Sequence, residues 1–456
     1  MIKNLSSSVY FIGIGGISMS ALAQILKAKG HMVAGSDASK SKQTEKLKKE
    51  KIKVFIGHRA ENVLGYETVV YNSAIKESNP ELVIARALGK IVLTRAELLA
   101  KIENEYKLKI AISGSHGKTT SSAWLASAMM ALNLSPTIHL GGEAVNLNSN
   151  FVVGKSNIFL TEACEYMDNF LALSPSLGAI LNIQADHLDY FKNFNRIKKS
   201  FAKFAKNCKK VVINLDDPTC RKIMEADKNK DKFITFSICD SRADYFAENI
   251  LLSDSKKPTF NLYISGKCFG KIELPIYLEH NVQNYLAVFA LLYEVYPDAE
   301  AVAQKLSLYL GVRRRFEEKG RLNGALVVHD YAHHPTEIEK VIEEAENVFG
   351  KKPIVVFEPH TYTRTQALMW EFARAFSKAE KVFIYKIYPA REPPIKGITS
   401  LALAQKVKNA SLVPATSVEN EKELKKVLAK ALTNKDVLLC LGAGNIDVIT
   451  EKLLTK

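Results

Sequence analysis

The chain has 456 residues, of which 47% are apolar, and it carries a net charge of +15. The length suggests two to four domains, and the apolar content excludes a disordered or fibrous protein. The basic excess favours anionic partners such as phosphorylated ligands, nucleic acid or a membrane surface.

Taken in chain order, the first hundred residues alternate short apolar runs with helical spacing. Val9-Tyr10-Phe11-Ile12-Gly13 reads as a buried strand, Met19 to Lys29 as a helix stopped by Gly30, and His31 to Ala34 as a second strand leading to Gly35-Ser36-Asp37. Strands follow at Val54 to Ile56 and Val69 to Asn72, a parallel-sheet pattern. The first apolar stretch runs directly into a glycine turn and not to a small-residue cleavage site, so a signal peptide is not expected. The lysine-rich stretch Lys40 to Lys53 has no interleaved aromatics and reads as a surface helix, so nucleic acid is not expected as a partner. A charged helix, Arg95 to Tyr106, leads to a boundary near residue 106.

The middle section begins again with a strand, Lys109 to Ser113, then a glycine loop and a helix, Ser121 to Leu132. Strands at Ile158 to Glu162 and Gly178 to Asn182 precede a mixed, β-rich stretch over 233–275 and a long apolar helix, Val282 to Tyr296. A second boundary falls near Gly311, and the last section carries strands at Ala325 to Val328, Pro353 to Phe357, Lys381 to Tyr385 and Val437 to Leu441. The reading is three α/β domains: a Rossmann-like N-terminal sheet (1–106), a central mixed or parallel sheet of the P-loop ATPase kind (107–312) and a Rossmann-like C-terminal domain (313–456). No apolar run reaches the ~20 residues of a membrane helix, so membrane insertion is not expected. Six irregularly spaced cysteines without a CxxC pair argue against zinc or a disulfide framework and fit a reducing cytoplasm.

Two loops carry phosphate chemistry. Gly114-Ser115-His116-Gly117-Lys118-Thr119-Thr120 lies between a strand and a helix, a shortened form of the P-loop with Ile112 where its first glycine should stand. Glycines let backbone N–H groups turn toward phosphate oxygens, and the helix N-terminus adds a positive partial charge. Lys118 can reach the β and γ phosphates, and a threonine hydroxyl can ligate Mg²⁺. The N-terminal turn Gly13-Ile14-Gly15-Gly16-Ile17-Ser18 has dinucleotide-fingerprint spacing with Ser18 in place of the third glycine, and Asp37 stands where a ribose-binding acid would. Two such turns in one chain suit a triphosphate and a second nucleotide better than a single dinucleotide.

Further residues can be read beside these. Glu162 ends a strand, where a carboxylate suits a hard cation; Glu165 is the competing acid. His280 and Asn284 share a helix face, Asn284 having the donor and acceptor that adenine presents, while His280 or Asn281 could equally cap that helix. Of Arg313, Arg314 and Arg315, one or two read as a solvated face.

The motifs GIGGISM (13–19), GSHGKTT (114–120), Glu162 with Asp186-His187, His280-Asn281-x-x-Asn284, Arg314-Arg315-Phe316-Glu317, Asp330 to Glu337 (DYAHHPTE) and Pro359 to Arg364 (PHTYTR) occur in the order of the Mur ligase family, which the chain resembles from end to end. The resemblance implies an ATP-dependent amide-forming enzyme that activates a carboxylate as an acyl phosphate. Its cofactors would be ATP and Mg²⁺, and its substrates UDP-N-acetylmuramate, bound by the first domain, and L-alanine, bound by the third. It implies Mg²⁺ ligands in Thr119, Glu162 and His187, the last of which would otherwise read as a polar loop residue. Adenine contacts fall to His280 and Asn284, the ATP ribose to Asp330 and the γ-phosphate to Arg315. His333, His360 and Arg364 would contact the amino acid and the reacting carboxylate, with His334 structural. Gly15, Gly16, Ser18, Asp37, Ser73, Arg95 and Glu97 are candidates for the sugar nucleotide. Thr361, Ala332 and Cys164 depart from the family pattern, which touches the substrate grip and leaves the reaction class intact. A recycling ligase that attaches a tripeptide, or a non-catalytic nucleotide-binding regulator on the same fold, are the alternatives. The expected assembly is a monomer or homodimer.

Overall fold

Runs of four to six apolar residues before a glycine or polar turn become buried parallel strands, and the longer 3.6-period segments cover their faces. The computed structural model describes residues 1–390 and 392–454, and within them the strands form three sheets. The fold is three-domain α/β, packed as two compact units: Met1–Ser253 with Pro258–Val312, and Asp254–Lys257 with Arg313–Lys456.

The first unit holds two sheets. One contains β1 (Ser8–Ile12), β2 (Met32–Asp37), β3 (Lys53–Ile56), β4 (Thr68–Tyr71) and β5 (Ile91–Thr94) in the order β3-β2-β1-β4-β5, all parallel. The order reverses at β1, so the turn 13–18 opens at the switch point where α/β sheets bind ligands.

The other sheet is built from β6 (Leu108–Ser113), β7 (Thr137–Ala144), β8 (Ser149–Val152), β9 (Ile158–Glu162), β10 (Leu177–Ile180), β11 (Lys210–Asn214), β12 (Phe233–Ser237), β13 (Tyr245–Leu252), β14 (Pro258–Ile264) and β15 (Lys267–Glu273). Their order is β15-β14-β13-β12-β11-β10-β6-β9-β7-β8, antiparallel only at β7–β8 and from β13 to β15. β6 lies between β9 and β10, so the loop after it, 114–120, has the carboxyl ends of both neighbours beside it. Trp124, fully buried on the helix Lys118–Ala131, stacks on Tyr309 and donates its indole N–H to Leu306 O at 2.8 Å. The helix Asn281–Val295 is buried along most of its length, as its all-round apolar sequence demands.

The second unit holds β16 (Glu317–Leu322), β17 (Ala325–Asp330), β18 (Ile354–Phe357), β19 (Lys381–Tyr385), β20 (Ala415–Val418) and β21 (Val437–Leu441) in the order β16-β17-β21-β18-β19-β20. All neighbours are parallel except the β16–β17 hairpin. The sequence reading did not anticipate β16 or the β7–β8 hairpin. Both lie at sheet edges, where Glu-Glu-Lys-Gly or Gly-Gly-Glu gives no apolar alternation to read. The helix expected from Ser121 begins three residues earlier, inside the phosphate loop itself.

Candidate functional site

At the centre of the first unit, β6 ends at Ser113 and the chain turns through Gly114 and Gly117 into the helix Lys118–Ala131. Gly117 has φ 83°, and a Cβ there would lie 2.6 Å from Asn284 Oδ1 and 3.2 Å from Leu181, so only glycine fits. The loop is pinned from the next strand's end: Ser115 N–H donates to Asn182 O at 3.0 Å, and His116 N–H to Asn182 Oδ1 at 2.8 Å. Gln184 ties Ser115 and His116 further. The helix start has no side-chain cap, so its N–H groups and dipole are directed at whatever lies in the loop. Lys118 Nζ donates to Gly114 O at 2.5 Å and Ser115 O at 3.0 Å, and pairs with Glu165 at 3.0 Å.

Two groups of hard-cation donors stand beside this loop. Thr119 Oγ1 hydrogen-bonds Glu162, whose Oε2 also accepts from Gly141 N at 3.1 Å. Gly141 permits that approach, since a Cβ there would lie 2.2 Å from Glu162 Oε2. His187 is grouped with Glu165 and Asp186, their ligand atoms all within 4.8 Å of one another. The three residues named for metal thus divide: Thr119 with Glu162, and His187 with Glu165, the acid that competed with Glu162. Tyr166 packs on the His187 ring at 4.8 Å. Cys164, between the two acids, is pushed up by burial and is no thiolate.

His280 is exposed at the start of the helix Asn281–Val295, which has no side-chain cap, so the capping alternative is not what the fold uses. Asn281 donates to Tyr277 O at 2.6 Å, and buried Asn284 donates to Asn281 Oδ1 at 2.9 Å while its oxygen abuts Gly117. The Asn284 amide is thus held from within its own helix, with its oxygen close to the phosphate loop.

At the first turn, Gly13 and Ile14 N–H groups donate to Ser36 O at 2.8 and 2.9 Å, and Gly15 N–H donates to Asp37 Oδ2 at 3.0 Å. Asp37 is buried and holds the turn itself, so a purely ribose-binding role does not describe it. Gly16 opens the helix Ile17–Ala28 with no side-chain cap. Ser18 accepts from Arg95 at 3.3 Å. Glu97 is spent in a capping box with Thr94, and Ser73 is exposed on a turn braced by Asn72.

In the second unit, the loops after β17 and β18 carry the remaining candidates. Asp330 is buried and accepts from Phe316 N and Ala332 N, both at 2.8 Å. Burial lifts its pKa to about 6 against the pull of Arg315 and those two N–H groups. Its oxygens brace the turn that presents Arg315, an arrangement unlike the open ribose contact expected. The rings of His333 and His360 lie 6.1 Å apart, and His360 stacks on Tyr388 at 5.4 Å. Burial, with Arg364 and His333 adding to it, holds His360 down to about 4; burial also lowers His333. Both rings are therefore neutral near pH 7. Thr361 Oγ1 accepts from Arg364 N at 3.5 Å, starting the helix Tyr362–Ala367, so the residue that departs from the family pattern serves as a helix cap. His334 forms a capping box with Glu337 at the helix Pro335–Phe349.

Sequence reasoning missed Asn182, Arg314 and Glu358. Arg314 is no solvated charge: it donates to Gly442 O at 3.0 Å and Gly444 O at 3.1 Å and lies over Tyr331. Glu358 is buried, accepts from Ile446 N at 3.0 Å and is pushed up to about 7 by burial. Asn182 stands where the strand beside β6 ends, a signal the pairing order alone reveals.

Comparison with known proteins gives a consistent set of matches. Three family models cover the chain: "Mur ligase family, catalytic domain" over 8–107, "Mur ligase middle domain" over 112–292 and "Mur ligase, glutamate ligase domain" over 314–444. The UDP-N-acetylmuramate--L-alanine ligase of Alkaliphilus metalliredigens is 40% identical over 98% of this chain and 97% of its own. That of Clostridium acetobutylicum is 38% identical over 100% and 99%. The crystal structure of the UDP-N-acetylmuramate-alanine ligase from Thermotoga maritima superposes with a TM-score of 0.81 at 28% identity, covering 98% of both chains. A murein peptide ligase from Psychrobacter arcticus shares the fold at a TM-score of 0.69 and 20% identity, again over 98% of both chains.

Proposed function

The chain belongs to the Mur ligase family, and from that premise we propose that it joins L-alanine to the lactyl carboxylate of UDP-N-acetylmuramate at the expense of ATP, releasing ADP and phosphate. The observation that carries the reading is the loop 114–120, with its lysine inside and two sets of cation donors beside it, in a chain matched by such ligases over nearly its whole length.

A carboxylate is a poor electrophile because its charge repels electron-rich nucleophiles. Transfer of the γ-phosphoryl group to it gives an acyl phosphate, from which phosphate departs when the uncharged amine attacks. The protein's part is to position anions, neutralise them and keep water from the acyl phosphate. Loop N–H groups and Lys118 take the phosphates, and Lys118 exchanges Glu165 and the loop carbonyls for phosphate oxygens. Thr119 with Glu162, and Glu165 with Asp186 and His187, fit Mg²⁺ through their oxygen donors, His187 being the one nitrogen. Mg²⁺ supplies charge neutralisation and polarisation of the phosphate oxygens when bound. His280 and Asn284, at the start of the same helix, are assigned to the adenine. Arg315 is assigned to the γ-phosphate. Arg364 offers its fork to the amino-acid carboxylate, and neutral His333 and His360 hold the amine without charging the pocket further. The six cysteines are free thiols, consistent with a cytoplasmic site of action. Among the described residues no helix is long and apolar enough to cross a membrane.

The test is phosphate release from ATP with each component withheld in turn. Release is expected only when UDP-N-acetylmuramate, an amino acid and Mg²⁺ are all present, with L-alanine preferred over glycine, L-serine and a tripeptide. Equal turnover without the sugar nucleotide would reject the ligase reading.

A further inference from the structure

Between the first turn and the metal-side strand runs a chain of hydrogen bonds that the mechanism above does not use. Arg95 Nη1 donates to Ser18 Oγ at 3.3 Å. Ser18 Oγ lies 2.9 Å from His139 Nε2, and His139 Nδ1 lies 3.0 Å from Thr161 Oγ1. Thr161 Oγ1 in turn donates to Glu162 O at 3.2 Å. His139 sits on β7, is 3% exposed, and is held at about 3 by burial and the nearby Arg95, so its ring is neutral.

The direction of every bond follows from its two ends. Arginine only donates, so Ser18 oxygen accepts from it. Thr161 gives its proton to the Glu162 carbonyl, so it accepts from His139 Nδ1–H. That tautomer leaves Nε2 as an acceptor, which takes the Ser18 hydroxyl proton and turns the serine lone pairs toward Arg95. The opposite tautomer sets two donors on Ser18 and, among the described residues, leaves its hydroxyl proton with no acceptor. Only one arrangement satisfies all four bonds, and it fixes one corner of a half-buried guanidinium. Burial disfavours the charged form of Arg95 and the Glu162 carboxylate opposes that, so the guanidinium lies near the acid that Thr119 meets.

We propose that His139 is a positioning residue: acting through Ser18, it sets the Arg95 guanidinium for the anionic end of the sugar nucleotide that must reach the γ-phosphate. The proposal rests on the ligase reading above. His139→Phe keeps the volume and removes both nitrogens, so Ser18 is free to rotate its proton toward Arg95. His139→Gln keeps an acceptor for Ser18 and a donor for Thr161.

Steady-state phosphate release by the full chain, with each substrate varied, reads the effect. His139→Phe should raise KM for UDP-N-acetylmuramate about tenfold, the usual weight of one hydrogen bond to a charged group. KM for ATP should stay within about twofold and His139→Gln should return most of the loss. Ser18→Ala should match His139→Phe, and the double variant should be no worse than either, since both cut one chain. If the two losses multiply, if Gln falls with Phe, or if KM for ATP rises in step, the side chain only packs and the inference is wrong. A wild-type protein whose phosphate release ignores the sugar nucleotide overturns the ligase reading itself, an outcome separate from normal wild-type turnover with unaffected variants.

Discussion

The phosphate loop of the first unit and the histidine–arginine cluster of the second solve opposite electrostatic problems. Around the loop the polar groups are answered from within: Lys118 pairs with Glu165, the His187 ring stands against Glu165 and Asp186, and Thr119 donates to Glu162. In the cluster, Arg364 Nη1, His360 Nδ1 and Arg314 Nε are buried without a hydrogen-bond partner among the described residues. A ligand for the loop must replace internal partners, so it has to bring comparable charge of both signs, as a triphosphate with a divalent cation does. A ligand for the cluster need bring acceptors only for the two guanidinium N–H groups, as an amino-acid carboxylate does. Buried donors left unpaired are costly, so they gain most from being met. The comparison separates a site selective for a charged pair from one that recognises a single anion.

The largest expected effect breaks the first half of that contrast. Lys118→Ala removes the cation that exchanges Glu165 for phosphate, and turnover should fall by about three orders of magnitude with all three substrates saturating. Thermal melting should fall as well, because Gly114, Ser115 and Glu165 are buried and the Glu165 carboxylate is left without its cation. Near-normal phosphate release in this variant would mean that the loop's internal pairing is its whole purpose. A smaller effect sharpens the second half. Arg364→Lys keeps the charge but loses the planar fork, so KM for L-alanine should rise about tenfold while KM for the sugar nucleotide holds. Parallel rises in both constants would place Arg364 outside the amino-acid grip.

How much of this was legible in sequence follows from the range of each interaction. The glycine loops, their strands and the order of the motifs are local, and residues 13–18 and 114–120 announced themselves through spacing alone. The partition of cation donors was not legible, because whether Glu162 or Glu165 meets His187 depends on how the segment after β9 folds back. There Met167 and Asp168 take left-handed conformations that no composition rule requires. Asp330 and Asp37 carried the right charge at the right strand ends, and both also hold neighbouring backbone N–H groups that no local pattern announced. Arg314 looked like part of a solvated run because its partners, the carbonyls of Gly442 and Gly444, lie more than a hundred residues later.

The smallest effect lies in the acid limb of stability, where the two regions differ again. His360 drops from 6.5 to about 4 in the folded chain, so between those values the unfolded chain binds more protons than the folded one. Its contribution is fully present above pH 6.5 and is lost as pH falls toward 4. The full shift would correspond to about 3 kcal/mol, but the ring is half-exposed and solvent screening brings the expected figure to about 1 kcal/mol. Melting curves of the wild type and His360→Asn between pH 7.5 and 4.5 should therefore diverge at the neutral end and converge at the acid end, the wild type losing about 1 kcal/mol more over the interval. Saturating L-alanine should steepen the wild-type loss further if the ligand binds the neutral ring, since bound ligand deepens the preference for the unprotonated state. A slope that L-alanine leaves unchanged would mean that the His360 ring is silenced by Tyr388 and Arg364 alone, and that the cluster's unpaired donors are met by something other than the amino acid.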